Sequence, residues 1–195
     1  MLPRMHYCQD HVCFISSVAM KNYQPNNIIL HTLNASSTTG VLSFGPRHLR
    51  CSLGRSGIKS RKREGDGATP LGKLSLLRVY YRPDRLRRPK TGLPVFPLNP
   101  AMGWCDDPGD ANYNQPVSWP YTASAEHLWR EDHLYDLIVI LDFNIAPRKK
   151  HSGSAIFWHL CCNNFSPTEG CIAIEKKEML KLLERCGPGT RLVVC

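Results

Sequence analysis

The sequence predicts a mostly-β domain with a single helix near its C-terminus, and three observations predict it. Short apolar, β-branched runs recur between turn-forming stretches. One run, Leu137 to Asp142, is apolar without interruption, as a strand buried on both faces would be. Only one stretch repeats at helical spacing: Met179, Leu182, Leu183 and Cys186 mark one face from Glu175 onward, with lysines and glutamates opposite. Gly187 followed by Pro188 then marks a helix stop.

The elements follow in order. Asn27 to Leu33 and Gly40 to Phe44 read as strands joined by a polar turn, and a third strand runs from His48 to Leu53. Arg61 to Gly72 is too rich in glycine and proline for a helix and reads as a loop. Lys73 to Tyr81 resumes as a strand. Pro83 to Pro120, rich in proline, aspartate and asparagine, reads as a long insertion loop that lines a site. Ala123 to Asp132 is expected as a short helix. Ser154 to Leu160 reads as a strand beside Leu137 to Asp142, and Arg191 to Cys195 as the last one. Residues 1–25 form a poorly defined N-terminal segment, and residues 26–195 a single domain.

The 195 residues carry a net charge of +9, which favours anionic partners. The charge gathers at Lys59, Arg61, Lys62 and Arg63, and again at Arg82, Arg85, Arg87, Arg88 and Lys90. Both clusters are expected as solvated basic faces. No nucleic-acid module accompanies them, so nucleic acid is not an expected partner. No apolar run reaches the ~20 residues that a membrane-spanning helix needs. Val12 to Met20 is short, contains two serines and lacks a clean basic flank, so it makes a poor signal peptide. Nine cysteines leave at least one outside any intramolecular disulfide framework. Cys8, Cys13, Cys51, Cys105, Cys186 and Cys195 are taken as structural or incidental.

Chemistry concentrates between Phe157 and Ile174. His159 ends a buried strand, a polar loop follows, and the loop closes on Thr168-Glu169-Gly170-Cys171. A cysteine nucleophile needs a base to take its proton, and a histidine in hydrogen-bond reach supplies one. A developing oxyanion needs fixed donors, often backbone N–H groups, and a glycine beside the nucleophile allows close approach. Zinc is the competing reading, because His159, Cys161, Cys162 and Cys171 include suitable ligands. Their spacing lacks the paired hooks of a structural zinc site, so no metal and no cofactor is expected.

This segment resembles the signature of the L,D-transpeptidase (YkuD) family: a histidine at a strand end, then Ser/Thr-x-Gly-Cys and an apolar residue, here His159 and Thr168 to Ile172. The turn Thr69-Pro70-Leu71-Gly72 is similar to another family element. The stretches Met102 to Asn114, Leu128 to Asp136 and Gly153 to Phe157 resemble a proteobacterial branch. The resemblance spans residues 26–195 and implies a mixed β-sheet or sandwich with the C-terminal helix packed on it.

It implies that Cys171 is the nucleophile and His159 the base. Gly170 and Cys171 would supply oxyanion donors, and Thr168 would shape the turn. The implied substrate is a peptidoglycan stem peptide, attacked at the amide between a diamino acid and D-alanine. The thioester would then pass to an amine acceptor. Hydrolysis on the same scaffold, as an L,D-carboxypeptidase or amidase, and non-catalytic wall binding are the alternatives. Glu169 stands where many members carry histidine or arginine, Ala173 where many carry a polar residue, and Leu160 where a small or polar one is common. Trp104, Asp106, Asp107, Tyr113 and Asn114, with Glu169, are the candidates for holding the substrate's zwitterionic end. The resemblance further implies a periplasmic or cell-envelope location and acylation of Cys171 by carbapenems. A monomer is expected.

Overall fold

The computed structural model describes residues 27–162 and 164–195. The N-terminal segment, with Cys8, Cys13 and the weak leader at Val12 to Met20, lies outside the described residues.

Nine strands build the main sheet. They are β1 (Asn27–His31), β2 (Thr39–Phe44), β3 (Arg47–Ser52), β6 (Gly72–Tyr81), β7 (Val95–Pro97), β11 (Leu137–Leu141), β12 (Phe157–Leu160), β13 (Ile172–Ile174) and β14 (Arg191–Val194). Their order is β11-β12-β13-β3-β2-β1-β14-β6-β7, and β11 pairs with β6 as well as with β12. The sheet therefore closes on itself, with β7 an appended edge. It is mixed: β1–β14, β12–β13 and β6–β7 are parallel, and the other neighbours antiparallel.

Alternation along the strands sorts residues onto two faces. Leu137, Val139, Leu141, Trp158, Leu160, Ile172 and Ile174 join the large inner cluster, with Ile28, Leu30, Leu42, Phe44, Leu192 and Val194 from the strands opposite. Ile138, Ile140 and Phe157 face outward into a second cluster with Trp104, Leu128, Tyr135 and Cys171. Both faces of β11 are buried, as its unbroken apolar run requires. Helix α1 (Lys176–Leu183) packs Met179, Leu182 and Leu183 into the inner cluster. It ends on Glu184, ahead of the expected Gly187, and the positive φ in the following turn belongs to Gly189.

Two expectations are corrected. Ala123 to Asp132 is not a helix: Ala125–His127 forms strand β10, whose three residues pair antiparallel with β8 (Met102–Cys105). Pairing with a distant strand here overrides a weak local preference. Pro83 to Pro120 is not wholly irregular either. It supplies β7, β8 and β9 (Pro116–Ser118), and β8 is the middle strand of a small β10-β8-β9 sheet. Trp104 and Leu128, carried by this sheet and the chain that leaves it, cover the outer face of β11 and β12. The remaining pair, β4 (Ile58–Lys59) and β5 (Thr69–Pro70), brackets the glycine-rich loop.

Arg82 and Arg85 of the second basic cluster depart from expectation, while Arg87, Arg88 and Lys90 are exposed as expected. Arg82 is 3% exposed, grips Asp84 through two nitrogens and stacks 3.7 Å over the Trp129 ring. Arg85 meets the buried Asp136 at 2.8 Å. Both donate to carbonyl oxygens of the Leu128 to Asp136 stretch: Arg82 to Arg130, Arg85 to Glu131 and Asp132. These two arginines are scaffold for that loop. A buried charge demands partners, and the loop backbone provides them.

Candidate active site

His159 lies on β12, paired with Ile138 of β11 on one side and Ala173 of β13 on the other. Alternation turns it, like Phe157, to the outer face. Cys171 immediately precedes β13 and faces the same way, so the parallel β12–β13 register brings thiol and imidazole to one cavity of about 600 Å³.

The imidazole is 5% exposed, and its Nδ1 lies 2.8 Å from the Leu160 carbonyl oxygen. A carbonyl only accepts, so Nδ1 carries the proton and Nε2 is left as a free base. Tyr135 meets the imidazole edge-on at 5.2 Å between ring centres. Burial is the main cause that pulls the His159 pKa down to about 4, and the Arg130 charge works in the same direction.

The Cys171 thiol is 8% exposed. Its Sγ accepts from the Phe157 N–H at 3.3 Å and donates to the Ala155 carbonyl at 3.1 Å. Burial, reinforced by the nearby Glu126 carboxylate, pushes its pKa up to about 12. Thiol and imidazole therefore both rest uncharged.

The turn before Cys171 is clamped by Thr168. Its hydroxyl donates to the Cys171 carbonyl at 2.6 Å and accepts from the Gly170 N–H at 3.2 Å. Its backbone bonds Leu53 and Arg55, fixing the turn to the end of β3. Gly170 has φ +130, and a Cβ there would stand 2.7 Å from the Ala68 carbonyl oxygen. No other residue fits without displacing one of the two segments.

Of the residues the sequence put forward for substrate binding, Asp106 and Glu169 line this cavity. Glu169 makes an exposed ion pair with Arg55 at 2.7 Å. Asp106 keeps one buried oxygen, Oδ1, without a hydrogen-bond partner among the described residues. The other four stand elsewhere. Asp107 caps a turn through the Gly109 N–H. Trp104 is buried and donates to Asn114 Oδ1 at 2.9 Å. Tyr113 is buried, bonds Glu64 and accepts from the Gly153 N–H. Asn114 is a hub: it also receives the Ala155 N–H at 3.0 Å and donates to the Phe143 and Asn144 carbonyls. Ala155 has φ +50, uncommon for a residue with a Cβ, and the Asn114 bond helps hold it there. Asn114 thereby fixes the carbonyl that receives the thiol proton.

The sequence reading missed Lys62, Glu126, Arg130 and Tyr135, all on the cavity wall. Glu126 and Arg130 fall in the stretch read as a helix; Arg130 and Tyr135 also lie in the family-like stretch Leu128 to Asp136, which assigned them no role. The described cysteines are all free, and among the described residues no group of His, Cys, Asp and Glu could hold a metal ion.

A closed mixed β-sheet with a buried thiol and a buried imidazole opening on one cavity defines a mainly-β domain built around a cysteine. The chain belongs to the L,D-transpeptidase catalytic domain (YkuD) family, whose model matches residues 39–194. Membership makes it a domain of the L,D-transpeptidase type, a family that acts on peptidoglycan peptides. No curated protein and no solved structure matches it.

Proposed function

We propose that this protein is a peptidoglycan L,D-transpeptidase in which Cys171 is the nucleophile and His159 the base. The observation that carries this reading is the His159 ring, whose Nδ1–H is bound to the Leu160 carbonyl so that Nε2 can accept a proton in the cavity that holds Cys171.

The steps follow from that arrangement. Substrate displaces the thiol from the Ala155 carbonyl, and Nε2 takes its proton as sulfur attacks the diamino acid carbonyl. The Gly170 and Cys171 N–H groups receive the oxyanion; the long 3.2 Å bond from Gly170 to Thr168 is readily exchanged for a charged acceptor. Collapse breaks the carbon–nitrogen bond, and His159 returns its proton to the departing D-alanine amine. An acceptor amine then attacks the thioester and gives a proton to His159; collapse expels the Cys171 thiolate, which takes that proton from His159 and restores the resting pair. With both groups neutral at rest, proton transfer and attack are coupled: the imidazolium–thiolate pair forms only as the substrate arrives. The workplace we propose is the cell wall, within the envelope.

Intact-protein mass spectrometry tests this. Incubation with a tetrapeptide stem should give an acyl-enzyme on the wild type and loss of D-alanine, and neither with Cys171→Ala. Carbapenem should add to the same cysteine. Cross-linked dimer identifies transfer, and tripeptide alone identifies hydrolysis. Turnover of the stem by folded Cys171→Ala would overturn the assignment.

A further inference from the structure

Acidic side chains are absent from one whole side of the closed sheet. No aspartate or glutamate occurs from Asn27 to Arg63, nor in β6 or β14. On this side Leu30, Leu42, Leu74 and Leu192 point into the inner cluster, so the residues that alternate with them point outward. One outward row crosses five strands in direct register: His48, Ser43, Ile29, Val193 and Lys73. The next row sets Arg50 beside Val41, and Val41 beside His31. At the usual strand spacing this face is roughly 20 Å wide. Arg50 and Lys73 are exposed. Arg50 lies 4.8 Å over the Phe165 ring, and among the described residues neither Arg50 nor Lys73 has a carboxylate partner.

Apolar exposure gathers at one end of the same face. Of the large apolar side chains exposed among the described residues, Leu33, Val41 and Leu71 stand here, and Phe96 stands elsewhere. Leu33, on the turn that follows β1, is 99% exposed. Leu71 immediately precedes β6, and it shares a hollow of about 410 Å³ with Thr32 and Asn34, the two neighbours of Leu33. The Leu71 N–H donates to the Lys59 carbonyl, which places Lys59 on the same rim. Lys59 is exposed and approaches Asp66 only to 3.9 Å.

We propose that this face is a docking surface for an anionic phospholipid bilayer. Leu33 and Leu71 enter the headgroup region, and Lys59, Lys73 and Arg50 meet lipid phosphates. The combination selects the partner. A soluble polyanion would pair with the cations and leave the leucines wet, whereas an anionic bilayer surface satisfies both, and an open sheet face matches its flatness. In the closed ring of strands β1 lies midway round from β12, so a molecule docked through β1 turns its cavity away from the lipid. This inference goes beyond the transpeptidase reading and does not depend on it.

Co-sedimentation of the full chain with vesicles tests it, comparing phosphatidylcholine alone with an equimolar mixture of phosphatidylcholine and phosphatidylglycerol. At low salt the wild type should partition to the mixed vesicles roughly 10²-fold more strongly, and rising salt should remove part of that preference. Arg50→Gln with Lys73→Gln should weaken partition roughly 10- to 25-fold, because one cation near an anionic surface strengthens it roughly fivefold. Leu33→Ser with Leu71→Ser should weaken it roughly tenfold and leave the salt dependence as it was. All four side chains are exposed and outside the catalytic cavity, so folding and turnover of soluble stems should stay at the wild-type level. Equal binding of the wild type to both vesicle types, or unchanged binding in both double variants, would overturn the proposal. Binding to purified wall sacculi but not to vesicles would give the face to an anionic wall polymer instead. A dimer in light scattering that Leu33→Ser dissolves, again without vesicle binding, would give it to a second copy of the chain. Vesicle binding without turnover of any stem would count against the transpeptidase reading and leave the docking surface standing.

Discussion

The two apolar clusters share strands β11 and β12, yet they differ in what they contain. The inner cluster is aliphatic for the most part, and its members come from nearly every strand and from α1. The outer cluster is small and rich in side chains with a polar end: Tyr80, Trp104, Tyr135 and Cys171. Inside, apolar area alone does the holding. Outside, every aromatic with a polar handle near the site is tied by a directed bond, Trp104 to Asn114 and Tyr135 to Glu126. One face of the same strands therefore supplies stability, and the other supplies placement. A cavity needs the second kind of packing, because dispersion contacts fix volume but not the direction of a carbonyl or a ring nitrogen.

Substitutions can break this contrast. The largest stability loss is expected inside. Leu182→Ala, at a side chain 1% exposed, should cost about 2–5 kcal/mol in denaturant titrations and leave kcat per folded molecule unchanged. Acidification should come next. The folded His159 pKa of about 4 lies below its ordinary 6.5, so the native state resists a proton that the unfolded chain accepts. Stability is full above pH 6.5 and is lost as pH falls to 4, by roughly 3 kcal/mol in all. Glu126, raised above its ordinary 4.5 chiefly by burial, works in the opposite sense. The difference between wild type and His159→Gln in the pH dependence of unfolding isolates the histidine. A difference flat across that window would show the imidazole to be solvated.

Asn114→Ala should cost less stability, about 1–3 kcal/mol, and much more function. Releasing the Ala155 N–H frees the carbonyl opposite the thiol, and kcat should fall tenfold or more while KM moves little. Equal loss in Leu182→Ala and Asn114→Ala would erase the contrast between the clusters. The smallest effect is expected at the rim. The Arg55–Glu169 pair has side chains 54% and 76% exposed, and Glu169→Ala should shift stability by no more than about 0.5 kcal/mol.

The inner cluster was also the part most legible in the sequence. The short apolar runs of β2 and β6, the unbroken run of β11 and the spacing of Met179, Leu182 and Leu183 each follow from burial that a short window reveals. The outer layer was not legible, because β7 to β10 are strands of three or four residues that exist through pairing with distant partners. The site divides in the same way. His159 and the Thr168 to Cys171 turn lie within one motif-bearing segment, and parallel pairing delivers both to the cavity. Glu126 arrives on β10, and Arg130 and Tyr135 from the following loop, whose position depends on Arg82 and Arg85. Trp104, Tyr113 and Asn114 have the chemistry of ligand contacts but satisfy it with one another, with Glu64 and with the backbone, a choice no linear pattern encodes.

The hydrogen bond from Cys171 to the Ala155 carbonyl bears on survival in an oxidising setting. Peroxide attacks the thiolate, and a thiol with a pKa of about 12 is ionised at neutral pH in roughly one molecule in 10⁵. Cys162 and Cys195 are exposed and have no such shelter. Under oxidant they are expected to be consumed ahead of the buried Cys171 thiol.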